Sequence, residues 1–298
     1  MRAADVGSQQ FVRFPPRWRH VLVPVGPPGA TALGTTLYTA SRPRPLLAQR
    51  VLWGLARTGG GRLLPGPRET WQPPVDPQTW AGLWADWVAL LGGVDAVAVY
   101  SRPQASRSGL VLALWQPARA AVVRLRRDSA DLDRERRLQA APPAASFRIP
   151  RALGQGRSGD WHWLAAEAMA HRPHRPVTTL PAGLLADVAR TVGAALPAPP
   201  GMPAHWRPAH GDLTPWNLRR AGRQTWLIDW EDAGWAPPHA DAVYFDATAA
   251  SLTTARPVDV TGDRAEAAAY WRERVALRPR TDTDAGLSRR LAALLSGG

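Results

Sequence analysis

The stretch from His210 to Asp229, HGDLTPWNLRRAGRQTWLID, constrains this chain more than any other part of it. Asp212 and Asn217 stand five residues apart in a Pro-containing loop, and Asp229 closes an apolar run twelve residues beyond Asn217. Asn217–Arg220 and Thr225–Trp230 read as short strands joined by a turn around Ala221–Gln224. A hairpin folded about that turn returns Asp229 to the neighbourhood of Asn217, so that two oxygen ligands face one site. Such a pair suits a hard divalent cation such as Mg²⁺. Asp212, just upstream, is placed to accept a proton from an incoming hydroxyl. Magnesium-dependent phosphoryl transfer needs this residue set. A His-Gly-Asp triplet by itself carries little, because Asp-Leu-Thr-Pro also reads as a turn or a helix start. The weight lies in His, Asp, Asn and a strand-end Asp arriving in that order.

His210-Gly211-Asp212 through Asn217, followed by Leu227-Ile228-Asp229-Trp230-Glu231, resembles the aminoglycoside phosphotransferase and choline kinase-like group of small-molecule kinases. The resemblance implies an α+β, bilobal protein-kinase-like fold. A small antiparallel-sheet nucleotide lobe would precede a mainly helical C-lobe carrying the catalytic hairpin. It implies Asp212 as catalytic base, His210 as the residue that orients the loop, and Asn217 and Asp229 as metal ligands. Asp241, in PPHADAVYF, matches the family's aspartate downstream of the metal site and reads as a structural anchor for the catalytic loop. Gly211 stands where protein kinases gated by an activation-loop phosphate carry arginine. Only eleven residues separate Asn217 from Asp229, so such gating is not expected.

Along the chain, His20–Val25 is a short apolar run. Pro45–Arg57 is helix-like, with Leu47, Val51, Leu52 and Leu55 at helical spacing. Pro65–Pro77 reads as a connector, and Trp80–Leu91 as an amphipathic helix whose tryptophans pack a core. From Val94 the pattern changes to alternating strands, Ala96–Ser101, Leu110–Trp115 and Ala121–Arg126, and then a charged helix, Asp131–Gln139. A further strand, Trp161–Glu167, resembles the one that leads to a kinase hinge, which makes Glu167 to Met169 the expected adenine contact. His171 and His174 follow in a Pro/Arg-rich loop and read as solvated surface, since two histidines without a third ligand make a poor metal site. Pro181–Leu196, Ala265–Leu277 and Leu287–Leu295 read as helices. Three stretches result: 1–93 of unassigned role, 94–170 as the nucleotide-binding lobe and 171–298 as the catalytic lobe.

Composition narrows the class further. Hydrophobic residues make up 45% of the 298, which supports a sizeable core. No apolar run approaches the ~18 residues of a membrane span, and no membrane partner is expected. The N-terminus lacks the apolar core of a secretory signal, so a cytoplasmic location is the expectation. Cysteine is absent, which excludes disulfides and thiolate metal sites. The net charge of +13 comes from arginine alone, for there is no lysine. Those arginines are scattered with no basic face interleaved with aromatics, so nucleic acid is not expected as a partner.

The absence of lysine has a direct consequence. Kinases of this fold hold the nucleotide phosphates with a strand lysine braced by a helix glutamate. Here the aligned strand, AAVVRLRRD, offers Arg124, with Arg126 as the same-face alternative, and Glu135 as the helix partner. Arginine keeps the charge but is longer and broader, so the exchange is not conservative. The expected phosphate loop, Ser101–Gly109, carries one glycine, and its Arg102 and Arg107 read equally as phosphate contacts or as a solvated turn. The expected activity is an ATP- and Mg²⁺-dependent phosphotransferase (kinase) moving the γ-phosphoryl group to a hydroxyl of a small molecule. The alternative is a catalytically impaired kinase-like scaffold that binds nucleotide or a partner. These residues do not separate ATP from GTP.

Overall fold

The alternation at 96–126 folds as a meander of β3 (Ala96–Ser101), β4 (Leu110–Gln116) and β5 (Arg119–Arg126), all antiparallel. Upstream lie β1 (Phe11–Arg13), β2 (Val21–Pro24) and the helices α1 (Pro28–Thr35), α2 (Pro43–Gly59) and α3 (Pro77–Leu91). Downstream come α4 (Ala130–Gln139), β6 (Ala152–Ser158) and β7 (Trp161–Glu167). The seven strands form one sheet in the order β1-β2-β3-β4-β5-β7-β6. The computed structural model describes residues 3–15, 20–101, 109–252, 257–278 and 285–297. The expected phosphate-loop arginines, Arg102 and Arg107, lie outside these.

The chain divides into two units. The first comprises residues 1–103, 107–132 and 150–174 and contains the seven-stranded sheet. Residues 1–93 fall within this unit, and β1 and β2 belong to its sheet. Leu22 of β2 pairs with Val99 of β3, and β1 continues the sheet by pairing Val12 with Val23. β1 is clasped in turn by Glu69, whose backbone exchanges hydrogen bonds of 2.8 and 3.0 Å with Phe11. The Glu69 carboxylate also pairs with Arg13 at 2.6 Å.

α3 covers one face of this sheet. The Thr79 N–H donates to the Asp76 carboxylate at 2.9 Å to cap its start, and Gly92 in the left-handed conformation ends it. Its buried stripe, Trp80, Leu83, Trp84, Trp87 and Leu91, packs against Val97, Leu112, Leu114, Val123 and Leu125. Burying one such indole removes about 150–250 Å² from water, worth roughly 4–6 kcal/mol, which explains why the stripe is tryptophan-rich core.

The second unit comprises 133–149 and 175–298 with the short segment 104–106. It holds β8 (Arg175–Pro176), α5 (Leu184–Ala195), β9 (Arg207–Ala209), β10 (Leu218–Ala221), β11 (Gln224–Leu227), β12 (Gly234–Ala236), α6 (Ala240–Leu252), α7 (Ala265–Ala276) and α8 (Ala285–Leu295). β10 and β11 form the expected hairpin about a two-residue turn, which Gly222 permits with φ 65°. The strand does not reach Trp230, because Asp229 turns into the left-handed region. α5 starts at Leu184, three residues later than its pattern implies, because Gly183 is left-handed with φ 76°. One apolar cluster supports the hairpin and a second packs the closing helices together. Phe147, Leu184, Val188, Leu213, Leu227 and Trp230 pack on one side, while α6, α7 and α8 bury Tyr244, Trp271 and Leu291 together.

Candidate active site

The loop between β9 and β10 is built from its own polar groups. Thr214 terminates it, accepting the Asn217 N–H through its carbonyl at 3.1 Å and its hydroxyl at 3.2 Å. That turn swings the Asn217 side chain back over the loop. Its amide Nδ2 donates to the Asp212 carbonyl at 2.9 Å and to Asp212 Oδ2 at 2.8 Å. Both amide protons are thereby committed, and the remaining polar atom of the side chain is the oxygen Oδ1. The hairpin then closes as its sequence implies. Ile228 donates its N–H to the Asn217 carbonyl at 3.1 Å, so Asp229 emerges beside Asn217. Asp212 and Asp229 are both partly exposed, while Asn217 is buried.

Two anchors hold this loop in place. Asp241, at the start of α6, is buried and accepts the His210 N–H at 2.7 Å and the Gly211 N–H at 3.1 Å, one on each carboxylate oxygen. His210, wholly buried, accepts the Asp212 N–H on Nδ1 at 3.2 Å and places Nε2 3.2 Å from the Ile228 carbonyl. The ring thus ties the loop bearing Asp212 to the residue before Asp229. Trp230 lies against the imidazole, with ring centroids 4.4 Å apart. That packing role was not legible in the motif, which places Trp230 beside Asp229 but not against His210. Arg134 of α4 also donates to the Glu231 carbonyl, a tie that no sequence signal marks.

Hydrogen bonding and burial both select the neutral imidazole. Desolvation pulls the His210 pKa from 6.5 down to about 4, and Asp229 offsets this only in part. A protonated Nδ1 would face the Asp212 N–H donor to donor. The unfolded chain takes up this proton near pH 6.5, the folded chain only near 4. The stability held by this group is therefore complete above pH 6.5 and is lost as pH falls from 6.5 toward 4. Asp241 acts in the opposite sense. Burial pushes its pKa up from 3.8 to about 6, so between those values stability falls as pH rises. Comparison of wild type with His210→Gln isolates the histidine. The stability difference between them is expected to shrink by about 3 kcal/mol from pH 7 to pH 4 in urea melts. A difference that stays constant would show that the folded ring takes up its proton as readily as the unfolded chain does.

The carboxylates around the hairpin are differently committed. Asp241 is occupied by the loop backbone, and Asp246 pairs with Arg264 at 3.0 Å. Glu231 is buried, whereas Asp232 remains partly exposed.

The nucleotide-side candidates lie on other elements. Arg124 sits on β5 in the first unit, opposite in facing to the buried Ala121, Val123 and Leu125. Arg126 shares its face but is buried, donating to the carbonyls of Leu110 and Leu125 at 3.2 and 3.0 Å. Glu135, also buried, belongs to the second unit and accepts from Gln139 at 3.3 Å. Glu167 ends β7, where its carboxylate accepts the Arg151 N–H at 3.1 Å. Among the described residues, no hydrogen bond engages the backbone N–H or carbonyl of Met169. His174 departs from the surface reading: it is buried, with Nε2 2.8 Å from the Ala170 carbonyl, because the chain turns back there. Among the described residues, no group of three or more His, Asp or Glu side chains is placed to hold a metal.

An antiparallel sheet in one unit and a loop-hairpin on a helical base in the other define a protein-kinase-like phosphotransferase fold. The model of the phosphotransferase enzyme family matches residues 68–282, and the chain belongs to that family. No curated protein sequence matches the chain. Similar solved structures include the aminoglycoside phosphotransferase APH(4)-Ia, 13% identical over 72% of this chain and 98% of that one, with a TM-score of 0.49. A choline/ethanolamine kinase family protein of Mesorhizobium loti is 15% identical, over 73% of this chain and 94% of that one, at a TM-score of 0.39. Amicoumacin kinase, solved with AMP-PNP and Ca²⁺, is 13% identical over 66% and 88%, at 0.42.

Proposed function

We propose that this protein transfers the γ-phosphoryl group of ATP to a hydroxyl of a small molecule in a Mg²⁺-dependent reaction. The observation that carries this reading is the pair of hydrogen bonds from the Asn217 amide nitrogen to Asp212, which hold a carboxylate base and leave the amide oxygen for a metal ion. One amide oxygen and one carboxylate suit Mg²⁺, which keeps waters and phosphate oxygens for its remaining positions. Asn217 and Asp229 would hold the ion, and the charge it supplies favours the nucleotide phosphates. Asp212 accepts the proton of the acceptor hydroxyl as that oxygen attacks phosphorus. His210 and Asp241 keep the base in place. Arg124 takes the part of the strand lysine and orients the phosphates. The Met169 backbone, beyond Glu167, meets the adenine edge. The second reading, a nucleotide-binding scaffold, is favoured by arginine at the lysine position.

Thermal melts with ATP, with and without Mg²⁺, on wild type and Asp229→Asn test the first reading. At a ligand concentration a hundred times Kd, binding adds about 2.7 kcal/mol, a shift of several degrees. The expected shift requires Mg²⁺ and disappears in the variant. A shift with ATP alone, equal in both proteins, supports the scaffold. No shift in any condition sinks both readings.

A further inference from the structure

The family match begins at residue 68, and the chain before it has an unusual charge balance. From Val6 to Arg68 there is no aspartate or glutamate, against nine arginines. Within this stretch α2 carries Arg44, Arg50 and Arg57, and Arg62 follows in the next turn. Among the described residues none of these four pairs with a carboxylate. The same helix exposes an apolar stripe. Leu47, Val51 and Leu55 recur every four residues and are 64%, 57% and 39% exposed. Leu63, 50% exposed, prolongs the stripe by lying across the last turn, where a Cβ on Gly59 would meet its Cδ1 at 2.3 Å. Four of the six exposed large hydrophobic side chains among the described residues therefore belong to one strip. Such clustering marks an interaction surface, whereas scattered exposure does not.

We propose that α2 and the turn after it dock onto the surface of an anionic lipid bilayer. The strip is the crest of a helix whose opposite face is already used. Gln49 is buried and donates to the Thr35 and Tyr38 carbonyls at 2.8 and 2.6 Å, and Ala56 is buried beside it. A crest with no second face available enters a fluid acyl layer at shallow depth, but it cannot fill a groove that wraps a helix. The arginines around it meet lipid phosphates at the level where the aliphatic chains enter. Nucleic acid supplies the anions but no apolar layer for Leu47, Val51 and Leu55. A second copy of this chain would set arginine against arginine with no carboxylate between them. Hydropathy excludes a membrane span by any described helix but says nothing against a surface contact.

Co-sedimentation of the full chain with vesicles tests this proposal. Vesicles of equimolar phosphatidylcholine and phosphatidylglycerol are expected to bind at least about tenfold more protein than phosphatidylcholine alone, and high salt should weaken the binding. The triple variant Leu47→Ser/Val51→Ser/Leu55→Ser should lose about tenfold in binding. So should Arg44→Gln/Arg50→Gln/Arg57→Gln, while Leu185→Ser, an exposed leucine elsewhere, should bind as wild type does. All the replaced side chains are exposed, and unchanged melting temperatures would confirm that the variants fold. Absence of vesicle binding overturns the proposal. Equal binding to both lipids overturns it as well, as does binding indifferent to the leucine stripe, which would be plain arginine adsorption. Equal stripe-dependent binding to a DNA duplex would assign the surface to nucleic acid instead.

Discussion

Asp212→Asn is expected to lower phosphotransfer by about 10²- to 10⁴-fold, the range for loss of a positioned general base. The variant should leave the fold intact. Asparagine keeps an oxygen where Asp212 Oδ2 accepts the Asn217 amide, and the bonds from the Asp212 backbone to His210 and Asn217 do not involve the side chain. Melting temperature should therefore change little while turnover collapses. ADP formation with Mg-ATP measures the effect, including the slow hydrolysis in which water takes the acceptor's place. An Asp212→Asn protein as active as wild type would remove the base from the mechanism.

Gly211→Ala should have the largest effect on stability. Gly211 has φ 78°, and a Cβ there would lie 2.0 Å from the Asp232 carbonyl oxygen and 2.7 Å from its carbon. The left-handed conformation alone costs a non-glycine residue about 1–3 kcal/mol. The clash is with backbone, so relief requires moving either the base-bearing loop or the segment after Asp229. A loss of at least about 3 kcal/mol is expected in urea unfolding, with weaker nucleotide binding. Gly183→Ala provides the comparison. Its φ is 76°, but a Cβ there meets nothing within 4 Å, so only the conformational part should appear. Equal losses at the two positions would show that the contact with Asp232 does not matter. This contact also accounts for the absence of arginine before the base: no side chain fits.

The elements that sequence reasoning reached are those in which one physical signal dominates. β3, β4, β5 and β7 are short, largely apolar runs, and Trp161–Glu167 has the bounds its pattern implies. The hairpin was legible because Gly222 marks its turn and an apolar run leads from there to Asp229. α6 was missed for the opposite reason. Ala240, Ala242, Val243, Tyr244, Phe245 and Ala247 are all buried, so the helix is apolar all round and shows no periodic face. β6 was hidden by Gly154 and Gly156, which leave no apolar alternation; a Cβ on Gly156 would lie 2.7 Å from the Trp163 indole nitrogen. α1, rich in glycine and threonine, carries little helical preference and is held by burial. Within the site, the order of residues was legible, and so was the return of Asp229 to Asn217. The anchoring by Asp241 came from the resemblance alone, because the clamp of its two oxygens on the loop backbone joins residues thirty and thirty-one positions apart.

The clasp between Phe11 and Glu69 bears on where the folding unit begins. Similarity to the family starts at residue 68, one position before Glu69, and suggests a natural place to trim the chain. Trimming there would strip β1 and β2 from the sheet and bare the row of backbone donors and acceptors along β3. An uncovered flat edge of that kind recruits strands from neighbouring molecules. The boundary of shared ancestry and the boundary of cooperative folding therefore fall at different residues, and a soluble shorter form has to keep β1 and β2.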